Sequence, residues 1–106
     1  MHILDCIEKL EGYVVGGRNE FMKSTLIQDA VIRNLEVIGA AAKDVSHEFR
    51  LAHPEIDWRR MVALRNILAH DYLGVKVTRV WADVAVTIPK LKLQITALLA
   101  ITNDDP

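Results

Sequence analysis

The stretch RNILAHDY, residues 65–72, sets Arg65, Asn66, His70, Asp71 and Tyr72 inside what otherwise reads as a buried helix. A segment that only had to fold would be filled with alanine, leucine and solvated lysine or glutamate. An imidazole exchanges a proton near neutral pH, and a guanidinium fork neutralises paired phosphoryl oxygens. Together they suit cleavage of an RNA phosphodiester. The histidine removes the 2′-hydroxyl proton or protonates the leaving oxygen, while the arginine stabilises charge on a phosphorane-like transition state. Such a reaction needs no metal. One histidine does not easily serve as acid and base at once, so two copies of the motif meeting across a dimer axis would be chemically attractive.

The spacing decides which of these residues can act together. At about 100° per residue, Arg65 and Tyr72 are nearly in line and can face one groove if the helix lasts that long. His70 is four residues after Asn66, so a hydrogen bond between them could fix the ring's tautomer. His70 also lies near the predicted helix C-terminus, where the partial negative charge favours the imidazolium. The same residues admit a plainer account, and from spacing alone it is the commoner one. Arg65 and His70 would cap the helix, Asp71 would pair with Arg65 or Lys76, and Tyr72 would be core. His2, His47 and His53 lie near a terminus or in polar segments and are assigned no chemistry.

The elements that must hold the motif are helical. Ile3, Leu4, Ile7, Leu10 and Val14 recur every three or four positions, one face of a first helix. Gly16 and Gly17 are expected to close it through left-handed backbone angles. A second segment begins near Phe21. Ser24 through Val45 contains no proline, and Leu26, Ile27, Ala30, Val31, Leu35, Ile38, Ala42 and Val45 form the apolar stripe of what should be the longest helix. Gly39, Ala40, Ala41 and Ala42 are small together, which allows another helix to approach. Ser46 can cap a short helix to about Ala52, HPEID breaks it, and Asp57 is placed to cap the motif helix. Trp58, Met61, Leu64, Leu68 and Tyr72 would be its buried stripe, with Gly74 as terminator. A further helix from Thr78 carries Val80, Trp81, Val84 and Ala85, and Pro89 is expected to end or kink it before KLKLQITALLAI. The Val-rich stretches 75–80 and 84–88 also suit strands. The expected architecture is an all-α, compact up-and-down bundle.

At 106 residues and 51% hydrophobic, the chain is one domain, 1–106, with 102–106 expected to fray. The single Cys6 allows no internal disulfide, and no Cys/His spacing suggests zinc, so a cytoplasmic setting and no cofactor are expected. The N-terminus lacks the pattern of a secretory signal, and no apolar run is long enough to span a membrane. Thirteen Lys+Arg against 14 Asp+Glu give a net charge of -1. That excludes a broad basic nucleic-acid surface, so RNA contact must be local and DNA is not expected. Arg59, Arg60, Arg65, Lys76 and Arg79 are the basic residues near the motif. A solvated helix face is the ordinary reading of Arg59 and Arg60.

RNILAHDY matches the R-x-x-x-x-H-x-Y motif of the HepT-like toxins of the HEPN superfamily. The resemblance covers almost the whole chain. QDAVIRNLEVIG resembles the family's long second-helix signature, HPEIDWRRMVALRN its approach to the motif, and YLGVKVTRVW with IPKLKLQI its closing segment. The resemblance implies a small, dimeric, HEPN-like helical protein acting as a metal-independent endoribonuclease within a type VII-like toxin–antitoxin system. Its partners would be RNA, a second copy of the chain and an MntA-type minimal nucleotidyltransferase antitoxin. Carried over by position, Arg65 and His70 would be the catalytic pair and Tyr72 the site of adenylylation, with Asn66 and Asp71 supporting. An adenylyl group on Tyr72 would bring bulk and negative charge into the groove and repel RNA. The family commonly has Gly-Glu-Ala where this chain has Gly39, Ala40 and Ala41, so a carboxylate that could pair with the arginine is missing. The chain also starts inside the family's usual first helix, which implies a shortened one. The alternative from another class is a non-catalytic helical binding module, a partner or substrate of a nucleotidyltransferase.

Overall fold

The first helix, α1 (His2–Tyr13), buries Ile3, Cys6, Ile7 and Leu10 on one face, as its periodicity requires. The computed structural model describes the backbone of residues 2–70 and 77–104 and the side chains of residues 3–65 and 77–100. Every regular element in that range is helical. The glycine stop differs in detail from expectation. Gly16 stays right-handed at φ -72°, and only Gly17, the first residue of α2 (Gly17–Lys23), is left-handed at φ +85°. One permissive residue suffices to redirect the chain.

Ser24 separates α2 from α3 (Thr25–Lys43), the longest described helix. Its hydroxyl accepts the Ile27 N–H at 3.1 Å, an N-cap that satisfies one of the orphan donors of the first turn. Gln28 Nε2 donates to the Phe21 and Met22 carbonyls at 3.0 and 3.2 Å, tying the end of α2 to the start of α3. Val31, Leu35, Ile38 and Ala42 are buried as the apolar stripe predicts. Leu26 is not, being 79% exposed. It precedes Val31 by five residues, about 140° around the helix, so length of apolar sequence is no substitute for phase.

Ser46 caps α4 (His47–Ala52), accepting the Phe49 N–H at 3.1 Å. Asp57 caps α5 (Trp58–His70), its Oδ1 accepting the Arg60 N–H at 3.0 Å. Both caps are where the sequence puts them. Trp58 anchors the intervening turn by donating its indole N–H to the His53 carbonyl at 3.0 Å and by packing edge-on to Phe49. Trp58, Met61 and Leu64 are buried, while Leu68 and Tyr72 of the predicted stripe and the Gly74 terminator lie outside the described side chains.

Pro89 does not end a helix. The chain runs helically from α6 (Val77–Ala82) through a π-helical turn, Asp83–Thr87, into α7 (Ile88–Asp104), with Pro89 in the first turn of α7. Proline lacks an N–H and its ring crowds the preceding turn. The wider π turn, in which the Ile88 N–H reaches the Asp83 carbonyl, relieves both problems and lets the helix continue. The Val-rich residues 77–80 and 84–88 are therefore helical, and α7 extends into the expected tail as far as Asp104.

The long α3 is the centre of the bundle, packing on α5 and α1, while α1 also meets α7 and α2 meets α6. Phe21 on α2 stacks at a tilt on Trp81 of α6, ring centroids 5.2 Å apart. Among the described residues no helix is long and apolar enough to cross a membrane.

Candidate active site

The motif helix is positioned by a close crossing of α5 over α3 at Gly39. A Cβ added to Gly39 of α3 would lie 2.8 Å from the Met61 carbonyl oxygen and 3.0 Å from the Arg65 backbone nitrogen, and closer still to the Arg65 Cβ. Gly39, the first of the small residues 39–42, thus admits α5 against α3. Arg65 is held at its base by this crossing.

Beyond that contact Arg65 enters an open groove of about 300 Å³, lined also by Arg33, Glu36, Val37 and Ala40. Ala40 therefore faces the same space as Arg65. Glu36 was not singled out from the sequence, although it stands one turn before Ala40 and so shares its stripe. It is the acidic side chain in the groove, only partly exposed and 3.9 Å from Arg33.

Asn66 and His70 lie within α5, but their side chains are outside the described ones, and Asp71, Tyr72 and Lys76 lie outside the described residues altogether. The backbone still fixes register. Positions 66 and 70 share one stripe, whereas positions 65 and 70 are about 140° apart around a regular helix. Arg65 meets α3 at the Gly39 crossing, and positions 66 and 70 fall on a different stripe of the helix.

The other basic candidates separate into different environments. Arg60 is engaged elsewhere: its Nη2 donates at 2.7 Å to Asp83 Oδ1, which also accepts the Thr87 hydroxyl at 3.0 Å. Arg60 therefore links α5 to the π turn and is not a free phosphate ligand. Arg59 is exposed and lines a pocket with His47 and Arg50. Arg79 is exposed on α6. His53 lies 3.3 Å from Glu55, a local polar pair. Among the described residues no three His, Cys, Asp or Glu side chains are grouped so as to hold a metal ion.

With this geometry in place, comparison with known proteins defines the class. The family described as Ribonuclease HepT-like matches residues 3–98, and the chain belongs to that family, within the HEPN superfamily. It is 42% identical over 77 residues to a protein of Methanocaldococcus jannaschii named a "Putative RNase", covering 73% of this chain and 71% of that one. It is 45% identical over 73 residues to the "Probable ribonuclease HepT" of Thermococcus cleftensis, covering 69% of this chain and 66% of that one. A second M. jannaschii protein, named "Gamma-glutamylcyclotransferase and putative RNase", is 39% identical over 99 residues, 92% of this chain and 45% of that protein. The chain thus spans less than half of that relative. No solved structure matches the chain significantly.

Proposed function

We propose that the chain is a metal-independent endoribonuclease and the toxin of a toxin–antitoxin pair, with Arg65 and His70 as its catalytic residues. The observation that carries this reading is the setting of Arg65: its base is locked by the Gly39 crossing, and its side chain lies in an open groove. A guanidinium whose root is held by a helix crossing and whose side chain lines an open groove is placed where a phosphodiester can reach it. Membership of a ribonuclease family supports the same assignment.

In this mechanism the RNA 2′-oxygen attacks the adjacent phosphorus, and the bond to the departing 5′-oxygen breaks. A histidine takes the 2′-proton, a protonated group supplies one to the 5′-oxygen, and the products are a 2′,3′-cyclic phosphate and a 5′-hydroxyl. Arg65 offsets the charge that accumulates on the non-bridging oxygens. Within one straight helix, residues 65 and 70 are about 140° apart, which favours a composite site in which two copies of the chain contribute. We therefore read the active form as a homodimer. Asn66 would orient the imidazole and Asp71 the surrounding charge.

Control would act at Tyr72. Transfer of an adenylyl group from ATP to its phenolic oxygen, with release of pyrophosphate, places a phosphodiester anion beside the catalytic pair. A nucleotidyltransferase antitoxin would carry out that step in the cytoplasm. The test is cleavage of labelled RNA in excess chelator by the unmodified chain and by His70→Ala. The reading requires cleavage by the parent alone; binding without turnover would leave only a recognition module.

A further inference from the structure

Between α4 and α5 a second open pocket of about 480 Å³ is lined by His47, Arg50, the exposed Leu51, Trp58, Arg59, Val62 and Ala63. Among the described residues no carboxylate lines it. Arg50 is fixed in its wall: Nη2 donates to the Ala42 and Lys43 carbonyls at 2.7 and 3.1 Å, closing the C-terminal end of α3. Those carbonyls are neutral acceptors, so the guanidinium keeps its charge, and its Nε is buried without a hydrogen-bond partner. Arg59 makes no ion pair among the described residues. By contrast, Arg60 is bound to Asp83, Arg33 lies near Glu36, and Lys92 is bound to Glu11. Among the described residues no carboxylate pairs with Arg50 or Arg59, so in a chain of net charge -1 this pocket is a local concentration of positive charge.

Its location gives it a ligand. Positions 59, 62, 63, 66 and 70 follow one another at three- and four-residue steps, so the pocket and the stripe of Asn66 and His70 occupy the same face of α5. From residue 62 to residue 70 the helix advances about 12 Å. We infer that the pocket of Arg50 and Arg59 is a phosphate subsite that holds the RNA strand a few nucleotides from the scissile bond, with Leu51 and Val62 as the apolar wall against which a nucleoside rests. This rests on the ribonuclease reading of the motif. It explains how a nearly neutral protein holds a polyanion: the charge is local and aligned with the motif.

The test is equilibrium binding by the full chain of a fluorescent 2′-O-methyl oligouridylate of about 12 nucleotides, which lacks the 2′-hydroxyl and cannot be consumed. Arg59→Ala is the variant, because Arg59 is exposed and no fold contact depends on it, whereas Arg50 closes α3. Arg18→Ala, an exposed cation on α2 outside the pocket, is the control. The subsite predicts that Arg59→Ala weakens binding about three- to tenfold and lowers the slope of log K against log salt by roughly 0.7, the value for one phosphate on a single strand. Arg18→Ala should match the parent. Parent-like binding by Arg59→Ala, equal weakening by both variants, or no binding by the parent at low salt would each overturn the subsite. Cleavage of ordinary RNA by the same preparation reports separately on the ribonuclease reading.

Discussion

Gly39 of α3 and Arg65 of α5 meet where the two helix backbones come within van der Waals contact, leaving no room for a Cβ at position 39. The groups in the way are a carbonyl oxygen, a backbone nitrogen and the root of the Arg65 side chain, none of which can rotate aside. Alanine would return about 1 kcal/mol of helix propensity, but overpacking of this kind costs about 1–3 kcal/mol. Gly39→Ala should therefore lower stability to urea, and Gly39→Val should lower it further. Because the displaced group is Arg65, RNA cleavage should fall by more than the loss of folded protein accounts for. Urea midpoints with activity per folded molecule provide the check.

The Arg60–Asp83 pair should respond asymmetrically. The Asp83 side chain is 6% exposed and that of Arg60 is 38% exposed. Removing the arginine strands a buried carboxylate that, among the described residues, keeps only the Thr87 hydroxyl as a side-chain donor, which costs on the order of 3 kcal/mol. Removing the carboxylate strands a guanidinium that can turn to water, at a cost nearer 1–2 kcal/mol. Chemical denaturation of Arg60→Ala and Asp83→Ala should rank them in that order, and equal losses would show that the pair does not act through burial.

Ala40 lines the Arg65 groove from a half-exposed position on α3. A longer acidic side chain there can extend into open space and fix the guanidinium fork of Arg65. Ala40→Glu should raise kcat of RNA cleavage while weakening RNA affinity, since part of the local positive charge is offset. Single-turnover kinetics with a binding titration separate the two effects.

Cys6 is buried in the core face of α1. Burial pushes its thiol above the usual range, nearby Lys9 pulls it down, and Asp5 pushes it up again. The folded protein thus holds the neutral thiol where the unfolded chain would ionise. Stability linked to Cys6 is unaffected below the unfolded thiol's pKa and declines as pH rises through it. A thiol-specific disulfide reagent at mildly alkaline pH should react slowly with the native protein and rapidly once urea unfolds it. Rapid native reaction would contradict the packing of α1.

Local chemistry in this chain is legible and phase is less so. Ser46 and Asp57 cap α4 and α5 because a side-chain oxygen three residues before an unsatisfied N–H is a purely local arrangement. The admission of α5 against Gly39 follows from side-chain size alone. Leu26 and Pro89 are harder to read. The first depends on which face of α3 meets its neighbours, and the second on a π turn that one residue's chemistry does not announce. Within the site, Arg65 and Ala40 share a groove as their resemblance to the family motif suggests, but Glu36 becomes visible only when α3 and α5 are placed together. Arg60, basic and near the motif in sequence, is turned to Asp83 by a partner 23 residues away.

Metal-independent RNA cleavage by RNILAHDY through Arg65 and His70, as proposed above, is open to a direct test. The most direct measurement incubates the protein, shown by intact mass to be unmodified at Tyr72, with end-labelled RNA in excess chelator beside Arg65→Ala and His70→Ala. The expected result is cleavage by the parent only, ending in a 2′,3′-cyclic phosphate, with both variants folded and inactive. Cleavage that chelator abolishes, or that persists in His70→Ala, would contradict it.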